Sequence, residues 1–396
     1  MALPLEGVVV ADLTQNVAGP FCTQVLGDMG ADVVKIERPG RGDDARAWAP
    51  PWWGDQSATF LAFNRNKRSL ALDLKTAAGR AVLKRLVARV DVFVQSLSAE
   101  ATRDLGVDFA GASAMNSRLV YCAITAFGTS GPLRDMPGYD PMMQAYAGLM
   151  SVNGHPGQEP VRVGTSIVDM GTGMWAALGI VAALRERDRT GRAVEVTTSL
   201  FETTLMWVSY HAMGYLASGE TPVPQGSGTA MIAPYQAFPA ADGYVMIAAG
   251  SDALFVRLAR ALDAPGLADD TRFADNPRRV QNRAVLVEAI SALTRARKSA
   301  DLIETLRRHD VPCSPILTID RVLEEPQTRE SGMLLRPANA RLPDFTCVAL
   351  PIRWDGRRPG VRREPPRLGE HGEDVLTWLG YTRDDVRSLR GEGVIS

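Results

Sequence analysis

Cysteine, histidine and lysine are scarce in this chain: 396 residues hold four cysteines, four histidines and five lysines. Cys22, Cys122, Cys313 and Cys347 lie far apart, with no paired spacing. That excludes a disulfide framework and a zinc site, and it suits a reducing compartment. An excess of charge is also lacking: the formal net charge is -1, which gives no electrostatic case for a nucleic-acid or membrane partner. The opening MALPLEGVVVADL has no basic n-region, so no signal peptide is expected. No apolar run is read as reaching the ~18 residues of a membrane span, and the protein is expected in the cytoplasm. Familiar enzyme motifs are missing too. The crossover NVAGPFCTQVLGDMG lacks G-x-G-x-x-G, and there is no P-loop, G-x-S-x-G or H-E-x-x-H, which argues against a nicotinamide cofactor and against the commonest hydrolases.

What is present is an alternation. Val8 to Leu13 reads as a strand, Gly19 to Met29 as a helix and Asp32 to Glu37 as a second strand. This β-α-β unit begins a parallel, doubly wound sheet. A helix near Ala77–Arg89 and strands at Asp91–Val94 and Leu119–Ile124 repeat the pattern, which points to the α/β class. Gly164 to Arg187 is apolar on most sides and is expected in the interior. The strand Ala193–Ser199 and a helix through Phe201–Leu216 follow. Residues 217–240, with Gly219, Pro222, Pro224, Gly226 and Gly228, read as an irregular connector. A smaller α+β domain is expected at 241–325, with a strand at Tyr244–Ala248 and helices near 253–262, 284–294 and 300–309. Residues 326–396 read as a Pro- and Arg-rich arm that returns to complete the domain begun by 1–216, ending in a short helix near Glu373–Leu379.

Five stretches carry a family likeness: LEGVVVADLTQNVAGPFCTQVLGDMGADVVKIERPGRGDDAR at 5–46, FNRNKRSLALDLKTAAGR at 63–80, FGTSGPLRDMPGYDPMMQAYAGLM at 127–150, EPVRVGTSIVDMGTGMWAALGIVAAL at 159–184 and PYQAFPAADGYVMIAAGSDALF at 234–255. In this order the chain resembles the class III CoA-transferases, also called the carnitine-dehydratase/bile-acid-inducible family. The resemblance implies a Rossmann-like large domain built from both chain ends, a small middle domain and an interlocked homodimer. It implies acyl-CoA and a small carboxylate as substrates, with no permanently bound cofactor and no metal. The segment GSGTAMIAPYQAFPAADGY at 226–244 looks most like members acting on dicarboxylates such as succinate, glutarate, itaconate or mesaconate.

The resemblance also supplies candidate site residues. Asp169 matches the family's nucleophilic aspartate. Read on its own, without the resemblance, it is better taken as a helix cap or a solvated first-turn acid. Near a helix start it is expected to stay ionised. Gly171 and Gly173 beside it suggest close approach, either by a ligand or by a neighbouring helix. Arg38 matches a position contacting the CoA nucleotide and carries the planar fork that suits phosphate; otherwise it is a surface cation with Arg41 and Arg46. Leu72, Asp73 and Lys75 match the adenine and phosphate region, and Ala18 matches the small residue facing the CoA thiol end. Ser96, in Ser96-Leu97-Ser98, and Asp104 depart from the family pattern, which puts CoA contacts at 96–104 in question. Gln15 and Val17 differ from the oxalate-specific members, so oxalate is not the expected acceptor. Tyr139, Gly250 and Ser251, the last two within AAGSD, are candidates for the acceptor acid.

Two other functions stay open at this stage. An α-methylacyl-CoA racemase shares the resemblance, and its chemistry needs an acid and a base flanking the α-carbon; that branch has a histidine where Tyr139 stands here. A catalytically silent CoA-binding homologue would keep the fold without using Asp169.

Overall fold

The computed structural model describes residues 3–337 and 341–396. The expected return arm includes 338–340, which lie outside the described residues. Two units are present. One comprises Met1–Leu149, Val163–Ala212 and Pro326–Ser396, the other Met150–Arg162 and Met213–Glu325.

In the first unit six parallel strands form one sheet: β1 (Val9–Leu13), β2 (Asp32–Glu37), β3 (Lys67–Ala71), β4 (Val92–Gln95), β5 (Val120–Thr125) and β6 (Val194–Ser199). Their order is β3-β2-β1-β4-β5-β6, so the direction of strand addition reverses between β1 and β4. In sheets of this kind ligands bind outside the carboxyl ends of the strands near that reversal. The inner strands carry apolar residues on both faces because helices cover both. Val10, Val33, Val94 and Cys122 point to α1 (Ala18–Asp28) and to α4 (Ile167–Thr190). Ala11, Val34, Ile36 and Phe93 point to α2 (Ala77–Val87). Helix α3 (Asp140–Tyr146) precedes α4, and α5 (Leu200–Trp207) follows β6. The helix expected over Phe201–Leu216 is in fact two, Leu200–Trp207 and Ser209–Ser218, parted at Val208.

Helix α4 departs from expectation in two ways. Its sequence reads as interior, yet Met174 (47% exposed), Leu178 (59%) and Val181 (37%) lie on an open face. The opposite face, with Val168, Ala176, Ala177, Ile180 and Leu184, is buried. This is the physical source of its all-round apolarity: one side meets the sheet and α1, and the other meets no part of this unit. By length and composition alone α4 would also pass as a membrane span, which corrects the reading that no such run exists.

The second unit has an antiparallel sheet in which β8 (Gly243–Ala248) lies between β7 (Tyr235–Ala240) and β9 (Cys313–Pro315). Helices α6 (Asp252–Ala261), α7 (Arg283–Thr294) and α8 (Ser299–Arg308) pack on it through Phe238, Val245, Ile247, Leu258, Leu286 and Leu302. The expected connector at 217–240 lies within this unit, and its last six residues are strand β7. There Phe238 is fully buried, while Pro239 is tolerated because β7 is an edge strand.

The C-terminal segment belongs to the first unit. Helices α9 (Gly372–Trp378) and α10 (Arg383–Gly391) place Val375, Leu376, Val386 and Leu389 in the core beside α2. Leu72 bridges Ile395, and the Asp73 N–H donates to Val394 O at 2.8 Å.

Candidate active site

Asp169 stands in the first turn of α4. Ser166, at the N-cap, makes no side-chain capping bond. A carboxylate from another helix does that work: Asp140 Oδ2 accepts from the Val168 N–H at 2.8 Å and the Asp169 N–H at 3.2 Å. Asp140 is itself held by Gln144, whose Nε2 donates to Asp140 Oδ1 at 2.6 Å and whose Oε1 accepts from the Val163 N–H at 2.8 Å. Asp140 and Gln144 are both buried. One turn on, the hydroxyls of Thr172 and Thr203 hydrogen-bond at 2.8 Å, tying α4 to α5. The segment 163–172 is thus fixed by polar contacts that need no solvent.

The result is a carboxyl group out of its ordinary range. Burial, and then the neighbouring Asp140 carboxylate, push Asp169 up to about 7. Against the expectation that the helix start keeps it ionised, desolvation and like charge act in the opposite direction and raise its pKa. Trp175, on α4, and Trp207, at the end of α5, lie with ring centroids 5.9 Å apart at a tilt of 36°.

The two glycines answer the question the sequence left open. A Cβ on Gly171 would lie 2.5 Å from the Trp207 ring, and one on Gly173 would lie 2.4 Å from Ala18 O. Close approach here is by neighbouring helices. The second contact has a further meaning. Gly173 is four residues after Asp169, hence on the same face of α4, so the Ala18 backbone sits one helical turn from the aspartate.

Most of the CoA candidates gather at the carboxyl edge of the sheet. Gln15, Val17 and Ala18 follow β1, Arg38 follows β2, Leu72, Asp73 and Lys75 follow β3, and Ser96 follows β4. The registers β1–β2, β2–β3 and β1–β4 make these four loops neighbours. Arg38 Nη2 donates to Gln15 Oε1 and to Asp44 Oδ1, both at 2.8 Å, which brings two candidates together directly. Of the cations near Arg38 in the sequence, Arg41 shares its partner, pairing with the same Asp44 oxygen at 3.1 Å, whereas Arg46 pairs with Glu37 at 2.7 Å. Leu72 is buried, and Asp73 Oδ1 accepts from the Lys75 N–H. Lys75 and Ser96 are exposed. Val17 and Ala18 are buried. Val17 makes no side-chain cap for α1.

Tyr139 is the N-cap residue of α3, with its ring exposed, immediately before Asp140. Gly250 and Ser251 belong to the second unit. Ser251 Oγ accepts from the Leu254 N–H and caps α6. Gly250 packs against Ile232, and its carbonyl accepts from Arg279. Among the described residues no group of three or more His, Cys, Asp or Glu could hold a metal ion.

Sequence reasoning missed Asp140, Gln144, Thr203 and Trp207. Asp140 carried a usable signal, an acid followed by proline at a helix start, which reads as a first turn. Nothing local showed that it caps a different helix.

Comparison with known proteins follows the same lines. The family model for CoA-transferase family III matches residues 5–372. The human succinyl-CoA:glutarate CoA-transferase is 33% identical over 393 residues, covering 99% of this chain and 90% of its own length. The succinate–glutarate CoA-transferase of Agrobacterium fabrum is 35% identical, covering 95% and 96% respectively. Among solved structures, a CAIB/BAIF family protein from Brucella suis superposes with a TM-score of 0.86 at 37% identity, covering 96% of this chain and all of the other.

Proposed function

The chain belongs to CoA-transferase family III, and from that membership we propose that it moves coenzyme A from succinyl-CoA to a small dicarboxylic acid through Asp169. The observation that carries this reading is the place of Asp169: a largely buried carboxyl in the first turn of α4, raised to about 7 by burial and by Asp140, one turn from the Ala18 backbone. A nucleophile suits such a setting, because stripping water from a carboxylate raises its reactivity toward an acyl carbon and removes the competing hydrolysis.

The steps balance without an added proton or electron. An Asp169 oxygen attacks the thioester carbonyl, the C–S bond breaks, and CoA thiolate leaves a succinyl–aspartyl anhydride. The thiolate then attacks the aspartyl carbonyl and breaks the anhydride C–O bond. Succinate departs and CoA is held as an aspartyl thioester. The acceptor carboxylate repeats the two steps in reverse and restores Asp169. In this scheme Arg38, Leu72, Asp73, Lys75 and Ser96 line the path of the CoA nucleotide, Ala18 lies at its thiol end, and Gln15, Val17 and Tyr139 meet the acceptor. No cofactor beyond the CoA substrate enters.

Two further parts of the reading are proposals of the same kind. The open apolar face of α4, with Leu205, Met206 and Tyr210 also exposed in the same unit, is larger than single exposed side chains explain, and it supports a homodimer of the interlocked type. Four cysteines, all free, support the cytoplasm as the working compartment.

The test is an exchange assay: purified protein, succinyl-CoA and a panel of glutarate, mesaconate, itaconate, oxalate and monocarboxylates, with new acyl-CoA read by mass spectrometry. Transfer to a dicarboxylate of four or five carbons, lost in Asp169→Ala, supports the proposal. Transfer confined to oxalate or to monocarboxylates overturns the choice of acceptor. Transfer undiminished in Asp169→Ala overturns the role of the aspartate.

A further inference from the structure

Beneath the β1–α1 turn lies a set of charges that the transfer chemistry does not use. Asp12, Lys35, Asp43 and Lys67 are each 1% exposed or less. Lys35 and Lys67 arise in the middle and at the start of buried strands, where an unpaired ammonium would be costly. Each is fully engaged. Lys35 Nζ pairs with Asp43 Oδ2 at 2.7 Å and donates to Thr14 O at 3.0 Å. Lys67 Nζ donates to Asp12 Oδ2 at 3.1 Å, Pro20 O at 2.9 Å and Asn64 Oδ1 at 2.9 Å. Asp12 also accepts from Thr14 N–H at 3.1 Å and from Thr23 Oγ1 at 2.6 Å. Asp43 Oδ1 accepts from the Asn16 N–H and the Ala45 N–H, both at 3.0 Å.

These contacts share one destination. Thr14 is held by Asp12 and Lys35, Asn16 by Asp43, Pro20 by Lys67, so the backbone of 14–20 is gripped at three points. Asn16 is kept at φ 69°, a left-handed conformation that a non-glycine residue adopts at some cost and that fixed contacts must maintain. Gly19 lets Thr14 fold over it, since a Cβ there would lie 2.2 Å from the Thr14 Cβ. The far end of this turn, Ala18 O, abuts Gly173 on the Asp169 face of α4. A simple stability role needs charges paired somewhere in the core. It does not need every one of them directed at the loop that faces the nucleophile.

We propose that Lys35 and Asp43 are positioning residues for acyl transfer, holding the Thr14–Ala18 turn at the spacing from Asp169 that aligns the thioester carbonyl with the attacking carboxylate. This rests on the reading of Asp169 as the nucleophile. Misplacement of a positioned reactant by about 1 Å costs on the order of 10²-fold in rate, so the pair acts on kcat rather than on the affinity for CoA.

The experiment compares the full-length enzyme with Asp43→Asn, the double variant Lys35→Met/Asp43→Ala, and a control, Asp28→Asn. Asp28 forms a buried ion pair with Arg65 at 2.6 Å at the opposite end of α1, away from the 14–18 turn. Melting temperature, CoA dissociation constant by calorimetry, and kcat with succinyl-CoA are measured for each, with Asp169→Ala alongside. The expected result is a kcat fall of about 10²-fold in the Asp43 variants with CoA affinity unchanged, while the control loses comparable melting temperature and keeps kcat. Should the double variant fail to fold, Asp43→Asn, which keeps an acceptor for the Asn16 N–H but removes the charge facing Lys35, decides the matter alone. Unchanged kcat in a folded Asp43 variant, or an equal fall in Asp28→Asn, overturns the positioning role. Full activity in Asp169→Ala overturns instead the reading on which it rests, and that result is visible without any Asp43 variant.

Discussion

Asp169 combines a helix start, which favours its charged form, with burial and a neighbouring carboxylate, which oppose it, and the opposition wins. Ionisation then has a cost to the fold whose sign is fixed. A carboxyl whose folded pKa stands above its unfolded value binds more protons folded than unfolded between those two values, so stability falls as pH rises from near 4 toward about 7. Asp169→Asn should therefore be more stable than the parent above pH 7, by up to about 4 kcal/mol at ~1.4 kcal/mol per unit of displaced pKa, and the gain should vanish toward pH 4. Thermal melts across that range check it. The second contributor to the shift is Asp140, so Asp140→Asn, which keeps an acceptor for the Val168 and Asp169 N–H groups, should move the acid limb of the pH–rate profile to lower pH. Because burial is the larger cause, the limb should move only part of the way toward the usual carboxylate range.

The helices show how the site is held, and how much of it a sequence can disclose. The β1–α1–β2 unit was legible because an apolar β-branched run, a helical stretch and a stopping Gly30 follow one another within thirty residues. The place of Asp169 in the first turn of α4 was legible for the same reason. The cap on that turn was not, since Asp140 reaches it from 29 residues away and only packing of α3 against α4 creates the contact. The lysine in the strand DVVKIE was a missed signal: a cation centred in a buried parallel strand must have an acid at hand, and Asp43, in the loop after that strand, supplies it at 2.7 Å. The glycines of α4 illustrate the converse, where a likeness to ligand-facing glycine turned out to be packing. Gly173→Ala should force α1 and α4 apart at Ala18, costing about 1–3 kcal/mol of stability and lowering kcat more than CoA affinity. Denaturant melts and steady-state kinetics on one preparation separate the two effects.

Considered as a whole molecule, the chain leaves apolar area uncovered along α4 and α5, with Leu178 59% and Met206 56% exposed. That face explains why the sequence of α4 is apolar all round although a single copy buries only one side of it. A dimer is the expected solution state, with a molecular weight by light scattering near twice 42.8 kDa, and Leu178→Glu with Met206→Glu should weaken it; a monodisperse monomer at working concentration would contradict the proposed assembly. The division of the chain into two units was only coarsely legible, because the boundary at Pro326 has a clear change of composition whereas 150–162 joins the second unit through contacts that no local pattern marks. The decisive measurement concerns the nucleophile itself: intact-protein and peptide mass spectrometry after incubation with succinyl-CoA and no acceptor. A CoA adduct, formed with loss of water, should map to the peptide containing Asp169, be absent in Asp169→Ala and disappear when acceptor acid is added. Steady turnover with no adduct on Asp169, or an adduct on another residue that survives Asp169→Ala, would contradict the proposed mechanism.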